Sequence, residues 1–325
     1  MSFRPVPHGR TAHRLTWEHL PAHVRAMVED RLGSPVARAV SQTGGFTPGF
    51  ASVLTGTDGA TVFVKAASRK AQAPVASAYA EEARKLQILG GAIPAPGLRW
   101  VHDDDWLVLG FEAVDGTAPE RPWQPAELER ALDLAEEVAA STIRVPTALG
   151  LQPVVTDLPD LLVGWDHVDL LHPDWPHLSE AAVLAHAFAD LPAERFAHSD
   201  LRDDNVLLCA DGRALACDWN WPVLAPAWID LVVLLVSAYG DGVAVEPQLA
   251  GRELTRDVDP GAIDSWLAAL TGFMLRARDQ PLRPNSPHLQ SHANAYAEAA
   301  WGWLCERRGW DRPDLRGDLG GRQRS

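Results

Sequence analysis

Two short apolar runs, Val206 to Cys209 and Ala214 to Cys217, flank the tetrapeptide Ala-Asp-Gly-Arg. Asp-Gly between such runs signals a tight β-hairpin, because glycine accepts the positive φ that these turns require. A two-residue turn at Asp211 and Gly212 sets Ala210 opposite Arg213, and stepping outward sets Asn205 opposite Asp218. An amide and a carboxylate then meet at the open end of an apolar hairpin, and Asp200 stands in the loop that feeds it. Hard cations such as Mg2+ take oxygen ligands, commonly one or two carboxylates together with substrate phosphates. Taken singly, Asn205 and Asp218 would be strand caps and Asp200 a turn former; together they define a candidate site.

The chain around this hairpin changes character along its length. Thr16 to Leu32 has helical spacing and stops at Gly33, a residue suited to a helix C-terminus. Three short β segments follow, one ending near Ser41, one from Phe50 to Gly56 and one from Ala60 to Ala66, with Thr57-Asp58-Gly59 as a hairpin signal between the last two. Ala73 to Gly91 reads as a helix with Pro74 in its first turn, and Gly97 to Val114 as two strands about a polar turn. Beyond Gly116 five segments favour helix. The expectation is an α+β protein of two lobes, an antiparallel sheet with a packed helix over residues 1–112 and a mostly helical lobe over 113–325 that holds the hairpin.

Composition narrows the partners. Lys and Arg total 29 against 43 Asp and Glu, a formal charge of −14 that repels nucleic acid and anionic membrane. No apolar stretch reaches the ~20 residues needed to span a bilayer. The beginning of the sequence carries no apolar signal core, which places the chain in the cytoplasm as an expectation. Cys209, Cys217 and Cys305 have no metal-like spacing and are expected to be reduced and structural. The last residues, from Gly317 on, read as disordered.

The pattern His198-x-Asp200-x-x-x-x-Asn205, followed by a hairpin and Asp218, is the order of a kinase catalytic loop and its metal-binding aspartate. The stretches HSDLRDDNVLL, ACDWNWP and APAWIDL together resemble the aminoglycoside phosphotransferase family, relatives of choline kinases with a protein-kinase-like fold. The resemblance extends from about Pro35 to Tyr239 and implies further parts in the first lobe. Gly44, Gly45 and Gly49, in TGGFTPGF, stand where a phosphate-covering loop is required, although the spacing is not G-x-G-x-x-G. Lys65, near the end of a strand, is implied to pair with the α and β phosphates.

Helical spacing selects its partner. Val75, Tyr79, Glu82, Leu86 and Leu89 share one face, so Glu82 lies on the apolar side, where a carboxylate needs a partner such as Lys65 to offset desolvation. Glu81 is four residues before Lys85, an ordinary exposed pair. Glu112, Ala113 and Val114 resemble the segment between lobes that offers backbone groups to adenine. His198 and Asp230 are implied to brace the catalytic loop.

These parts imply transfer of the γ-phosphoryl group of ATP to a hydroxyl of a small molecule, with Mg2+ held by Asn205 and Asp218 and with Asp200 accepting the proton. An aminoglycoside or related antibiotic is one acceptor; a choline, sugar, macrolide or homoserine kinase is the alternative, and a non-catalytic nucleotide-binding pseudokinase is the reading from another class. A protein kinase is disfavoured, since DWN replaces D-F-G and no A-P-E element follows. Ser199 stands where the family usually carries Gly, and Asp203 where Pro or Ala is common. Asp203, Asp204, Asp160 and Asp174 could meet a cationic acceptor, the last two reading first as solvated surface. Trp123, Trp165, Trp175 and Trp301 read first as core. Neither the acceptor nor the oligomeric state is legible.

Overall fold

The computed structural model describes residues 12–42, 44–45, 47–141, 145–282 and 284–312. The disorder expected from Gly317 on lies outside them. The first lobe comprises α1 (Ala22–Leu32), β1 (Val36–Ser41), β2 (Phe50–Gly56), β3 (Thr61–Ser68), α2 (Ala73–Leu89), β4 (Leu98–Asp103) and β5 (Trp106–Phe111). The five strands form one antiparallel sheet in the order β1-β2-β3-β5-β4, so β3 is central. In that register Lys65 is flanked by Ala51 on β2 and Leu109 on β5.

The first helix is shorter than its apolar spacing suggests. Residues Trp17–His19 form a single 3-10 turn, and α1 starts only at Ala22. Pro21 explains the break: its ring disfavours helical backbone at the preceding residue, and it is tolerated at a helix start. Gly33, at φ 88°, closes α1. The apolar side of α1 and Trp17 packs with Phe50, Leu54, Val62, Val64 and Val108 on one face of the sheet.

After Phe111 the chain crosses to the second lobe. Its elements are β6 (Gly116–Thr117), α3 (Pro125–Ser141), α4 (Val154–Asp157), α5 (Asp160–Leu171), α6 (Leu178–Ala187), β7 (Arg195–Ala197), β8 (Val206–Cys209), β9 (Ala214–Ala216), β10 (Val223–Ala225), α7 (Ile229–Gly240), α8 (Glu246–Gly251), α9 (Pro260–Arg278) and α10 (Leu289–Arg308). The architecture is thus α+β and two-lobed. No described helix is long and apolar enough to cross a membrane. Cys209, Cys217 and Cys305 are free.

Trp123, Trp165 and Trp301 are in the core, and Trp175 packs against it. Trp165, Trp175 and Trp301 form a cluster with ring centroids 5.2 to 6.0 Å apart. The main core is continuous between lobes, from Tyr79, Leu86 and Phe111 to Leu201, Leu231 and Trp301.

The hairpin forms, but with a different turn. Cys209 N–H donates to Arg213 O at 2.8 Å, and Gly212 N–H donates to Cys209 O at 3.1 Å. The loop therefore has three residues, Ala210 to Gly212, with Gly212 at φ 94°. Asp211 Oδ1 accepts Arg213 N–H at 3.0 Å, a local bond that aspartate side chains readily make. The extra loop residue slips the register by one. Asn205 is opposite Cys217, whose N–H it accepts at 2.8 Å, and not opposite Asp218 as the two-residue turn requires. Asp218 falls just past the ladder, in the left-handed region at φ 62°.

Candidate active site

A cavity of about 410 Å3 opens between the lobes. The sheet contributes Lys65, Phe63 and Phe111, helix α2 contributes Tyr79, Glu82 and Leu86, and the loop before β2 contributes Gly44, Gly45 and Thr47. The second lobe adds Asp204, Asn205, Cys217 and Asp218. Residues far apart in the chain therefore share one wall because β3 is central and the β8–β9 hairpin presents its open end to it.

Lys65 is the hub. Its ammonium donates to Glu82 Oε1 at 2.8 Å and Oε2 at 2.9 Å, and it also contacts Asp218 Oδ1. The Tyr79 and Phe111 rings flank it at 5.5 and 5.6 Å. Glu82 is 1 % exposed and Lys65 6 %. Burial pushes the Lys65 ammonium down, but Asp218 and Glu82 outweigh it and hold the group above its ordinary value. Burial likewise pushes Asp218 up, and the Lys65 charge overrides that to hold the carboxyl below its usual range. For Glu82 burial prevails over Lys65, with Asp218 adding to it, and its carboxyl is raised.

Lys85 forms the expected i,i+4 pair with Glu81, at 3.6 Å, but not as an exposed one. It is buried, and its ammonium donates to Asn220 O at 2.8 Å, while Glu81 bonds chiefly to Arg84. Helix α2 is thereby tied to the loop that carries Asp218.

The catalytic-loop stretch is held by a dense set of bonds. Asp230, buried on α7, accepts the His198 N–H at 2.7 Å and the Ser199 N–H at 2.9 Å. Ser199 has φ 64°, a conformation that glycine adopts without strain, and its Oγ donates to Trp221 O at 2.6 Å. His198 lies between Asp200 N–H, which reaches Nδ1 at 3.3 Å, and Cys217 O, which is 2.9 Å from Nε2. With Nδ1 accepting, Nε2 carries the proton and donates. One ring nitrogen serves the loop and the other ties it to the Cys217 backbone beside Asp218.

Asn205 Nδ2 donates to Asp200 O at 2.8 Å and to Asp200 Oδ2 at 3.2 Å. Its amide oxygen is the opposite branch of the same planar group. Asp218 keeps a second oxygen, Oδ2, beyond the one that meets Lys65. An amide oxygen and a carboxylate oxygen in one cavity form a donor set that fits Mg2+ when phosphates complete the shell. Asn205 and Asp218 are the residues that would hold it.

The glycines divide. Gly44 and Gly45 line the cavity, and Gly45 has φ 73°. At Gly49 a Cβ would come within 3.0 Å of Tyr79 ring carbons, so packing against α2 accounts for that glycine. Glu112 and Val114 also line the cavity. Glu112 N–H donates to Gly97 O at 2.8 Å, which removes that amide as a donor to a base. Ala113 continues the same segment.

Several site residues were not evident from sequence. Arg202 is buried beside Asp200, with Nε 2.8 Å from Asp200 Oδ1, Nη2 3.4 Å from Asp204 Oδ2 and Nη1 2.7 Å from His292 Nε2 on α10. Arg121 Nη1 is 3.2 Å from Asp203 Oδ1, and its Nη2 is 2.8 Å from Asp241 Oδ1. Asp203 and Asp204 both pair internally, with Arg121 and Arg202, although Asp204 also lines the cavity and its Oδ1 has no hydrogen-bond partner among the described residues. Asp160 meets Arg276 at 3.1 Å. Burial first, then the neighbouring carboxylates, pushes Asp204 up to about 6 against the pull of Arg202. The position of Arg202 between Asp200 and Asn205 was the available signal; His292 and Arg121 are distant in sequence and left none.

A sequence model of the phosphotransferase enzyme family matches residues 45–302. No curated protein sequence matches the chain. Among solved structures, the chain is similar to APH(2")-IIia in its GDP and kanamycin complex, with a TM-score of 0.59 and 16% identity over 89% of this chain and 99% of that one. It is similar to the spectinomycin phosphotransferase APH(9)-Ia in complex with ADP and spectinomycin, at 0.55 and 12% over 88% and 98%. It is also similar to the choline kinase LicA from Streptococcus pneumoniae, at 0.55 and 12% over 85% and 100%. At these identities the likeness is one of fold.

Proposed function

The chain belongs to the phosphotransferase enzyme family, and on that premise we propose that it transfers the γ-phosphoryl group of ATP to a hydroxyl of a small molecule in the cytoplasm. The observation that carries this reading is the convergence of Lys65, Glu82, Asn205 and Asp218 on one cavity, with Asp200 bonded to Asn205 beside it. GDP and ADP in two of the similar structures support a purine nucleotide as donor.

Phosphoryl transfer depends mainly on positioning and charge stabilisation. Lys65, fixed by Glu82, would grip the nucleotide phosphates. Mg2+, held by Asn205 and Asp218, would neutralise phosphate charge. Asp200, oriented by Arg202 and Asn205, would align the acceptor hydroxyl and take its proton as the new O–P bond forms and the bond to the departing nucleoside diphosphate breaks. His198, Asp230 and Ser199 would hold the loop at the required curvature.

The acceptor is a small molecule whose class is not set by Asp203, because Arg121 already compensates it. A transfer screen over aminoglycosides, other antibiotics and metabolite alcohols, with products identified by mass, tests the reading. A phosphorylated product is expected with the wild type, and Asp200→Asn should lower kcat about a hundredfold or more while nucleotide affinity holds. Wild-type turnover in that variant would remove Asp200 from its role. Nucleotide binding without any product would favour a binding module.

A further inference from the structure

The cavity contains a cation that the reaction as proposed does not use. Arg14 precedes the 3-10 turn at Trp17–His19 and lines the same cavity as Lys65. Its Nη2 donates to Gly44 O at 2.5 Å and approaches Gly45 O at 3.5 Å. Among the described residues its buried Nε has no hydrogen-bond partner. Among the described residues Arg14 forms no ion pair with a carboxylate, whereas Lys65 is compensated by Glu82 and Asp218.

Among the described residues the Arg14 guanidinium is hydrogen-bonded only to neutral carbonyls, and the carboxylate that feels its charge, Asp218, is already paired with Lys65. Desolvation of a cation is offset by a paired charge, and the planar fork of arginine suits phosphate oxygens better than a point charge does. Gly45 keeps the approach open. A Cβ there would fall 3.3 Å from Arg14 Nη2 and 3.7 Å from Asp218 Oδ2, filling the gap between the guanidinium and the carboxylate. The segment is also anchored to the other lobe, since His13 N–H donates to Asn285 O at 3.1 Å. Asn285 lies shortly before α10.

We propose that Arg14 is a phosphate-binding residue of this active site, delivered over the glycine loop by a segment pinned to the second lobe. The inference rests on the nucleotide-dependent function proposed above. Arg14 supplies to the terminal phosphates the charge that Lys65, neutralised by its own partners, does not supply alone. It touches phosphate rather than base, so its contribution grows with the number of phosphates.

Calorimetric titration of the full chain with ATP plus Mg2+, ADP plus Mg2+, and adenosine separates the possibilities. Arg14→Ala should weaken ATP binding about ten- to a hundredfold, weaken ADP less, and leave adenosine unchanged. Arg14→Gln, which keeps an amide donor for Gly44 O and removes the charge, should show the same loss with an unaltered thermal midpoint. Arg14→Lys should recover part of it. ATP affinity that is unchanged or tighter in the folded Ala and Gln variants overturns the inference, and tighter binding would make Arg14 a blocking residue. Equal loss for adenosine also overturns it. If the wild type binds no nucleotide, the parent reading fails and this one with it; wild-type binding with indifferent variants sinks this one alone.

Discussion

At the scale of single residues, the site is a balance between burial and pairing, and at Asp204 burial outweighs the pairing. Its carboxyl is pushed up to about 6 from 3.8, chiefly by burial. Because the folded state holds that proton more tightly than the unfolded chain, stability is intact below about 3.8 and declines as pH rises to about 6, then levels. Asp204→Asn cannot ionise, and Arg202 keeps Asp200 as a partner at 2.8 Å. The variant should match the wild type at pH 3.5 and exceed it above pH 6 by about 3 kcal/mol. Urea unfolding from pH 3.5 to 7.5 without metal checks this, and a difference independent of pH would contradict it. Burial raises the Asp230 carboxyl as well, yet both of its oxygens accept backbone N–H groups. Asp230→Ala should cost about 2–4 kcal/mol by leaving two loop amides without their acceptors, measurable as a lowered urea midpoint.

Some of this was readable from residues and some was not. Glu82 could be assigned to the buried face because helical periodicity is a local property, and a buried carboxylate implies a nearby cation. Lys85 is only half legible for the same local reason: its i,i+4 pair with Glu81 forms at 3.6 Å, but only the tertiary position of Asn220 shows the lysine pointing inward. Arg14, Arg121 and His292 are joined to the site by contacts spanning 30, 82 and 90 residues, to which no periodicity refers.

Among elements, the hairpin shows how identity and register separate. The two strands and the residues at their open end are legible in the apolar runs around Asp-Gly. The register is not, because Asp-Gly serves both a two-residue turn and a three-residue loop, and a side-chain bond from Asp211 tips the choice. Helix α5 is a second case. Gly164 weakens its helical signal, yet the glycine lies against Gly272 of α9, where a Cβ would come within 2.7 Å of Phe273 N. The two glycines let the backbones cross closely. Gly164→Ala should therefore destabilise by about 2–4 kcal/mol although alanine favours helix by up to about 1 kcal/mol, because backbone cannot yield as a flexible side chain can. A midpoint shift in chemical unfolding in the opposite direction would show that the crossing relaxes at little cost.

For the whole molecule, the question is whether two lobes behave as one. The main core runs without interruption from α2 and β5 into the helices of the second lobe, and Lys85, Arg84 and His13 bind across the divide to Asn220 O, Ala148 O and Asn285 O. Shared core and shared bonds couple the unfolding of one lobe to the other. A ligand held by residues of both lobes should then stabilise the entire chain. At free ligand a hundred times its Kd the gain is about 2.7 kcal/mol. For a chain of this length that amounts to roughly 5 °C in Tm. Calorimetry should show a single transition that moves as a unit when ATP and Mg2+ are added, and moves back when the nucleotide is removed. Two transitions, of which only one responds, would mean that the lobes unfold separately despite their continuous core.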